Sequence, residues 1–293
     1  TFIKTHYKEV ATILLALALS LSFATKSTLA ANTNLANGIT VDSTLDTPDD
    51  NIGNGICDDG DGNCTLRAAI QEANSNADAS TILFNIQETA DFINSGQDGY
   101  TIKPQSQLPS IIEQVTINGY SQPGAQANTA VAPQPLNGTL LIEIDGGEAG
   151  ATSGLNIEGN NSEVKGLVIN SFDFSGVGIM ADDIKIFGNY IGTDPTGLVD
   201  KGNYNGGVMQ AADGSEDLQV GSLTPADRNV ISGNEHGGSS PNTGSNHWVY
   251  YGNYFGLGAD GSTVIPNNQP GGSGALSLDN SDDHVVGGSQ PGA

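Results

Sequence analysis

Apolar positions in this chain come in short runs, and the same runs return. Ile184-Lys185-Ile186-Phe187-Gly188-Asn189-Tyr190-Ile191-Gly192 recurs 64 residues later as Trp248-Val249-Tyr250-Tyr251-Gly252-Asn253-Tyr254-Phe255-Gly256, in register throughout. Asp217-Leu218-Gln219-Val220-Gly221-Ser222, followed by Pro225, recurs 66 residues later as Asp283-His284-Val285-Val286-Gly287-Gly288, followed by Pro291. A unit repeated at a fixed period buries its apolar face only by stacking on its neighbours, so an array of stacked units is expected. Between the copies, runs such as Val208-Met209, Leu218-Gln219-Val220, Val230-Ile231 and Leu276-Ser277-Leu278 are closed by Gly, Asn, Asp, Ser or Pro. Runs that short, rich in Val and Ile and bounded by turn formers, predict strands. Their close spacing leaves no room for crossover helices. The fold class expected is therefore all-β, a right-handed parallel β-helix of the pectin-lyase-like solenoid kind.

Further strands are predicted at 38–41, 81–86, 140–144, 155–157, 164–169, 177–180 and 184–187. Inside 184–187, alternation puts Ile184 and Ile186 inward and Lys185 outward. The segment from Gly237 to Ser245 carries no apolar residue, so a lost strand or a bulging loop is expected there. One stretch reads differently. In Cys64 to Asn74, Leu66, Ala69, Ile70 and Ala73 fall at helical spacing, and Asn74 to Asn76 end the pattern. A helix there would cap the first coil of a solenoid, whose open end otherwise exposes unpaired backbone and core.

Residues 1–30 predict a secretory leader. Lys4, His6 and Lys8 precede an apolar run from Val10 to Ala24, and Thr28-Leu29-Ala30 offers a small-residue cleavage site. The apolar run is short for a membrane span, and no transmembrane span is expected in the mature chain. Composition agrees with a turn-rich β protein: 40 Gly and only 14% charged residues. Nine Lys and Arg stand against 33 acids. Nucleic acid is excluded as a partner on that balance, since backbone phosphate binding needs clustered cations.

Export favours a disulfide over a metal site for the only two cysteines, Cys57 and Cys64. Asp59, Asp61 and Asn63 mimic the first ligands of a calcium loop, but Cys64 and Ile70 occupy the positions that need glycine and an acid. The run Cys64-Thr65-Leu66-Arg67-Ala68-Ala69-Ile70-Gln71-Glu72-Ala73-Asn74, with Cys57 upstream, resembles the CSLREA domain of bacterial surface proteins. Thr65 stands where that family has serine, and Ala68 where it has glutamate. Leu108-Pro109-Ser110-Ile111, Val115-Thr116-Ile117-Asn118-Gly119, Gly188-Asn189-Tyr190-Ile191-Gly192 and Arg228-Asn229-Val230-Ile231-Ser232-Gly233-Asn234 are similar to segments of the right-handed β-helix proteins that carry it. The resemblance implies secretion or surface display and no known catalytic activity.

Candidate chemistry is sparse. Asn189 and Asn253 occupy one place in the repeat, and with Asn229 and Asn234 they predict structural amide ladders. Asp217 and Asp283, which also share a place, are read the same way. Asp182-Asp183-Ile184-Lys185 and Glu235-His236-Gly237-Gly238 loosely resemble, in composition, the paired acids of polygalacturonases, yet adjacent strand residues point to opposite faces. Gly271-Gly272-Ser273-Gly274 opens a near match to a calcium-roll repeat, with Leu276 where the ligand Asp belongs. Neither catalytic residues nor cofactors nor a metal are expected. Among the aromatics of the repeat, Tyr190, Tyr254 and Trp248 are the candidates for a glycan-facing platform; alternation sends half of that set into the core.

The domain reading is a leader over 1–30, a cap with the CSLREA-like region and first coils over 31–118, and β-helix repeats over 119–293. Because Pro225-Ala226-Asp227 aligns with Pro291-Gly292-Ala293, further repeats are expected beyond Ala293. The function expected is that of an extracellular or cell-surface scaffold, adhesin-like or a stalk, contacting carbohydrate or another surface ligand. A β-helix polysaccharide lyase or glycoside hydrolase is the alternative.

Overall fold

The computed structural model describes residues 38–211, 214–241, 244–267, 274–278 and 281–287. The leader, the Gly271-Gly272-Ser273 run and residues 288–293 lie outside the described residues. Among the described residues the protein is mostly β, with long parallel sheets and one α-helix, Leu66–Asn74. No helix among them is long and apolar enough to cross a membrane.

Three sheets account for the strands. Sheet I stacks Ile39–Val41, Ser80–Phe84, Val115–Asn118, Glu163–Lys165, Lys185–Phe187, Gln219–Val220, Val249–Tyr250 and Val285–Val286. Sheet II stacks Leu155–Ile157, Ser175–Ile179, Gly206–Gln210 and Ser239–Ser240. Sheet III runs from Phe92–Asn94 and Gln97–Ile102 through Ile142–Asp145, Leu167–Asn170, Tyr190–Ile191 and Val230–Ile231 to Tyr254–Phe255. From Glu163 onward the chain visits sheets I, III and II in turn and then lays the next pass parallel on the last. Only the pairing of Phe92–Asn94 with Gln97–Ile102 is antiparallel among the named strands.

Alternation works as the pattern requires. Val164, Ile186, Val220 and Tyr250 stack in one inward column, while Glu163, Lys185 and Gln219 form the outward one. The run 164–169 is not one strand, however. Gly166 takes φ +71° and turns the chain from sheet I to sheet III, and a Cβ there would meet the Tyr120 ring and backbone within 2.8 Å. Between Gly237 and Ser245 a strand is kept: Ser239 and Ser240 pair with Val208 and Met209. Its inward serine is tolerable because Ser239 Oγ donates to Val208 O at 2.8 Å and lies 3.0 Å from the Tyr250 hydroxyl.

The spacing of successive passes in sheet I, read at Glu163, Lys185, Gln219, Val249 and Val285, is 22, 34, 30 and 36 residues. The 64-residue sequence period therefore spans two passes. Corners alternate: Gly188-Asn189 turns tightly, whereas Gly221 to Asn229 makes a long corner through the 3-10 turn Pro225–Asp227.

The helix packs on the first two strands of sheet I through Leu66, Ala69, Ile70 and Ala73, all fully buried. Thr65 caps it by accepting from Ala68 N–H at 3.0 Å and donating to Thr47 O at 2.6 Å. Cys57 and Cys64 are joined in a disulfide just before that cap.

Candidate functional site

Amide ladders occupy two corners. Asn189, Asn229 and Asn253 form the first, with Asn229 Oδ1 accepting from Asn189 N–H at 2.8 Å and Asn253 Oδ1 accepting from Asn229 Nδ2 at 2.8 Å. Asn234 belongs to a second column, between Asn203 and Asn267. Sequence comparison missed Asn203 and Asn267 because the loops before them differ in length between passes. Each ladder amide also donates to a strand carbonyl, as Asn229 Nδ2 does to Ile186 O at 2.8 Å. These groups are structural: the buried amides meet acceptors within the stack.

The aromatic platform expected at Tyr190, Tyr254 and Trp248 is not there. Trp248 is fully buried, pointing inward, and its Nε1–H donates to Ser215 O at 3.1 Å. Tyr190 does point outward on sheet III, but Leu136, Leu140 and Ala259 cover it in a second apolar cluster outside the sheets, leaving it 3% exposed. Burial pushes its phenol above its ordinary range. Tyr254 sits at the rim of that cluster beneath Arg228, whose guanidinium carbon is 5.0 Å from the ring centroid, and its hydroxyl donates to Gln134 O at 3.2 Å. Alternation alone could not show that a loop folds back over sheet III.

The acids singled out by sequence do not share a site. Asp182 and Asp183 precede a sheet I strand, and Glu235 and His236 precede a sheet II strand. Asp183, Asp217, His247 and Asp283, with Asn161, stack in one turn column, all near φ +60°. Short polar side chains tolerate that left-handed conformation, which accounts for the repeated Asp. Glu216, Asp217 and His247 come together there at the surface, with candidate ligand atoms within 4.8 Å of one another. The Asp59 carboxylate is engaged by its own loop, accepting from Asn63 N–H and Nδ2 and from Asp61 N–H. Burial opposes ionisation there, and these hydrogen bonds outweigh it, holding Asp59 below its ordinary value.

Two of the clefts are polar. One, about 300 Å³, lies between Asp183, Lys185, Asp217 and Gln219 on sheet I. The other, about 390 Å³, gathers Asp91, Glu143, Asp145, Asp194, Lys103 and Lys201 on sheet III. Its buried acid, Glu143, is fully engaged: Oε1 accepts from Asn170 Nδ2 at 2.8 Å and Lys201 Nζ at 3.2 Å, and Oε2 from Thr101 Oγ1 at 2.8 Å. Burial works against the Lys201 charge, but Glu143 and Asp145 together raise its pKa. This cluster ties the 194–201 loop to the sheet.

A third cleft is different in chemistry. It encloses about 410 Å³ on the outer face of sheet II and is lined by Phe174, Met209, Ala211 and His236, with Ser153, Ser175, Asn205 and Gln210 as polar lining. Phe174 is 45% exposed and Tyr204 50% exposed, and Tyr204 meets His236 edge-on with centroids 4.7 Å apart. Stacked backbone places these rings: Tyr204 N–H donates to Phe172 O at 2.8 Å, Asn205 N–H to Phe174 O at 3.1 Å, and His236 N–H to Tyr204 O at 3.0 Å. In the outward column Asn156, Gly178, Met209 and Ser240 are neighbours, so Gly178 leaves a depression beside Met209. The sequence signal was faint, since Phe174, Tyr204 and His236 lie in loops of unlike length and never align as a repeat. Comparison with protein-family models, with curated proteins and with solved structures finds no match to this chain.

Proposed function

We propose that this protein is a right-handed parallel β-helix, exported and displayed at or beyond the cell surface, that binds glycan through the sheet II groove. The helical winding is supported by the sequence I, III, II in which each pass visits the sheets, and parallel crossovers are almost always right-handed. Export is supported by the Cys57–Cys64 bond, a kind of link that persists in oxidising compartments. The observation that carries the glycan reading is the set of exposed rings, Phe174, Tyr204 and His236, beside amide and hydroxyl groups in one groove. Flat apolar ring faces and a few convergent polar groups are what a sugar, apolar on its C–H face and polar at its rim, requires. The lining of the groove contains no carboxylate, which favours a protein that holds its ligand without cleaving it.

The test is binding of the full chain to a glycan panel. Wild type should bind at least one glycan, and Tyr204→Ala should weaken that binding about tenfold, the loss of roughly 1.4 kcal/mol of ring contact. Release of reducing ends, or binding unchanged in a Phe174→Ala/Tyr204→Ala double variant, would overturn the reading.

A further inference from the structure

Resting on the glycan reading of the groove, we infer that its ligand is an uncharged polysaccharide lying across the strands, and not a uronate or sulfated one. The groove is assembled from four successive passes: Ser153 from the first, Phe174 from the second, Asn205 and Met209 from the third, and His236 from the fourth. Parallel neighbours sit roughly 4.8 Å apart, so three spacings give the groove a length of about 14 Å along the stacking direction. That length suits a run of about three sugar rings. A chain lying along one strand would meet only one pass and leave most of the rings unused.

Charge selects the class. None of the lining residues is Lys or Arg. Asp173 is exposed next to Phe174, and Glu235 stands next to His236, so the rim of the groove is acidic. Carboxylate and sulfate groups are recognised by guanidinium forks or ammonium groups that pair with them. Here they would lie beside like charge, on a protein with a formal net charge of -24, and like-charge juxtaposition rejects a ligand. Hydroxyl groups have what they need: the Asn205 amide, the Ser153 and Ser175 hydroxyls, and the ring faces. Met209 adds an apolar surface that adapts to ring shape.

The experiment is titration calorimetry of the full chain with neutral gluco-, manno- and chito-oligosaccharides of graded length, against oligogalacturonates of matching lengths, at low and moderate salt. The expected result is that a neutral series binds, with affinity rising up to roughly three rings and levelling after that. Oligogalacturonates should bind at least about tenfold more weakly, with the gap narrowing as salt screens the rim. Asp173→Asn should narrow it by roughly twofold to fivefold at low salt. Oligogalacturonate binding as tight as the neutral series overturns the inference and leaves the glycan reading standing. Neutral binding that is complete with a single ring overturns the placement across the strands. Binding of neither class overturns the glycan reading itself and this inference with it.

Discussion

Asn229 is the residue on which most hydrogen bonds of the first ladder converge. It accepts from Asn189 and donates both to Ile186 O and to Asn253. Asn229→Ala strands buried donors and acceptors on both neighbouring passes, so a loss of about 1–3 kcal/mol is expected in urea unfolding; Asn253→Ala, at a partly exposed position, should lose less. The ladder was legible in the sequence because its members repeat, whereas the burial of Tyr190 was not, because it depends on a distant loop containing Leu136 and Leu140. His284 supplies a pH-dependent case. Its Nδ1 accepts from Trp248 N–H at 3.1 Å, and the two rings meet edge-on with centroids 6.4 Å apart. Burial lowers its pKa below the ordinary 6.5, against the opposing pull of Asp282 and Asp283. Since the folded-state value lies below the unfolded one, the contribution of the neutral ring is complete above the unfolded value and is lost as pH falls through the folded one. Fluorescence of the single tryptophan should therefore drop on acidification with a midpoint below 6.5, and His284→Phe should remove the transition. A midpoint at or above the ordinary value would contradict this.

Among the elements, the helix was the clearest from sequence: four apolar residues at helical spacing had to face one core. Thr65 holds its N-terminus, and the hydroxyl is used twice, toward Ala68 N–H and toward Thr47 O. Thr65→Ser keeps both bonds and should leave amide exchange in residues 66–70 close to wild type, while Thr65→Ala should cost about 0.5–2 kcal/mol, read as faster exchange over the same residues. Equal exchange in the two variants would place the stability of the helix elsewhere. Strand ends were legible less well. Val164 to Ile169 reads as one apolar run, and only the backbone shows that Gly166 breaks it into strands of two different sheets. The Ser239–Ser240 strand was invisible for the opposite reason: it has no apolar residue, and its place is secured by pairing with Val208 and Met209 and by the Ser239 hydroxyl bonds inside. Apolar periodicity finds strands that drive packing and passes over strands that packing imposes.

For the whole molecule, the acidic excess sets the response to salt. With 33 acids against nine Lys and Arg, self-repulsion opposes the compact state, and screening at about 0.15 M salt shortens its range to roughly 8 Å. The melting temperature should rise by about 2–4 °C between very low and physiological ionic strength; a fall would mean that the ion pairs at Lys201 and Arg67 outweigh the repulsion. The stacking of long corners against tight ones reaches further, into how such a chain can grow. Tight corners at Gly188-Asn189 and Gly252-Asn253 lie on either side of the long corner from Gly221 to Asn229. An internal gene duplication of about 64 residues, the two-pass period seen here, adds one corner of each kind and keeps every neighbour. A duplication of a single pass sets like against like and leaves a corner without its complement. The heritable module of this architecture is thus a pair of passes, although the smallest structural unit is one.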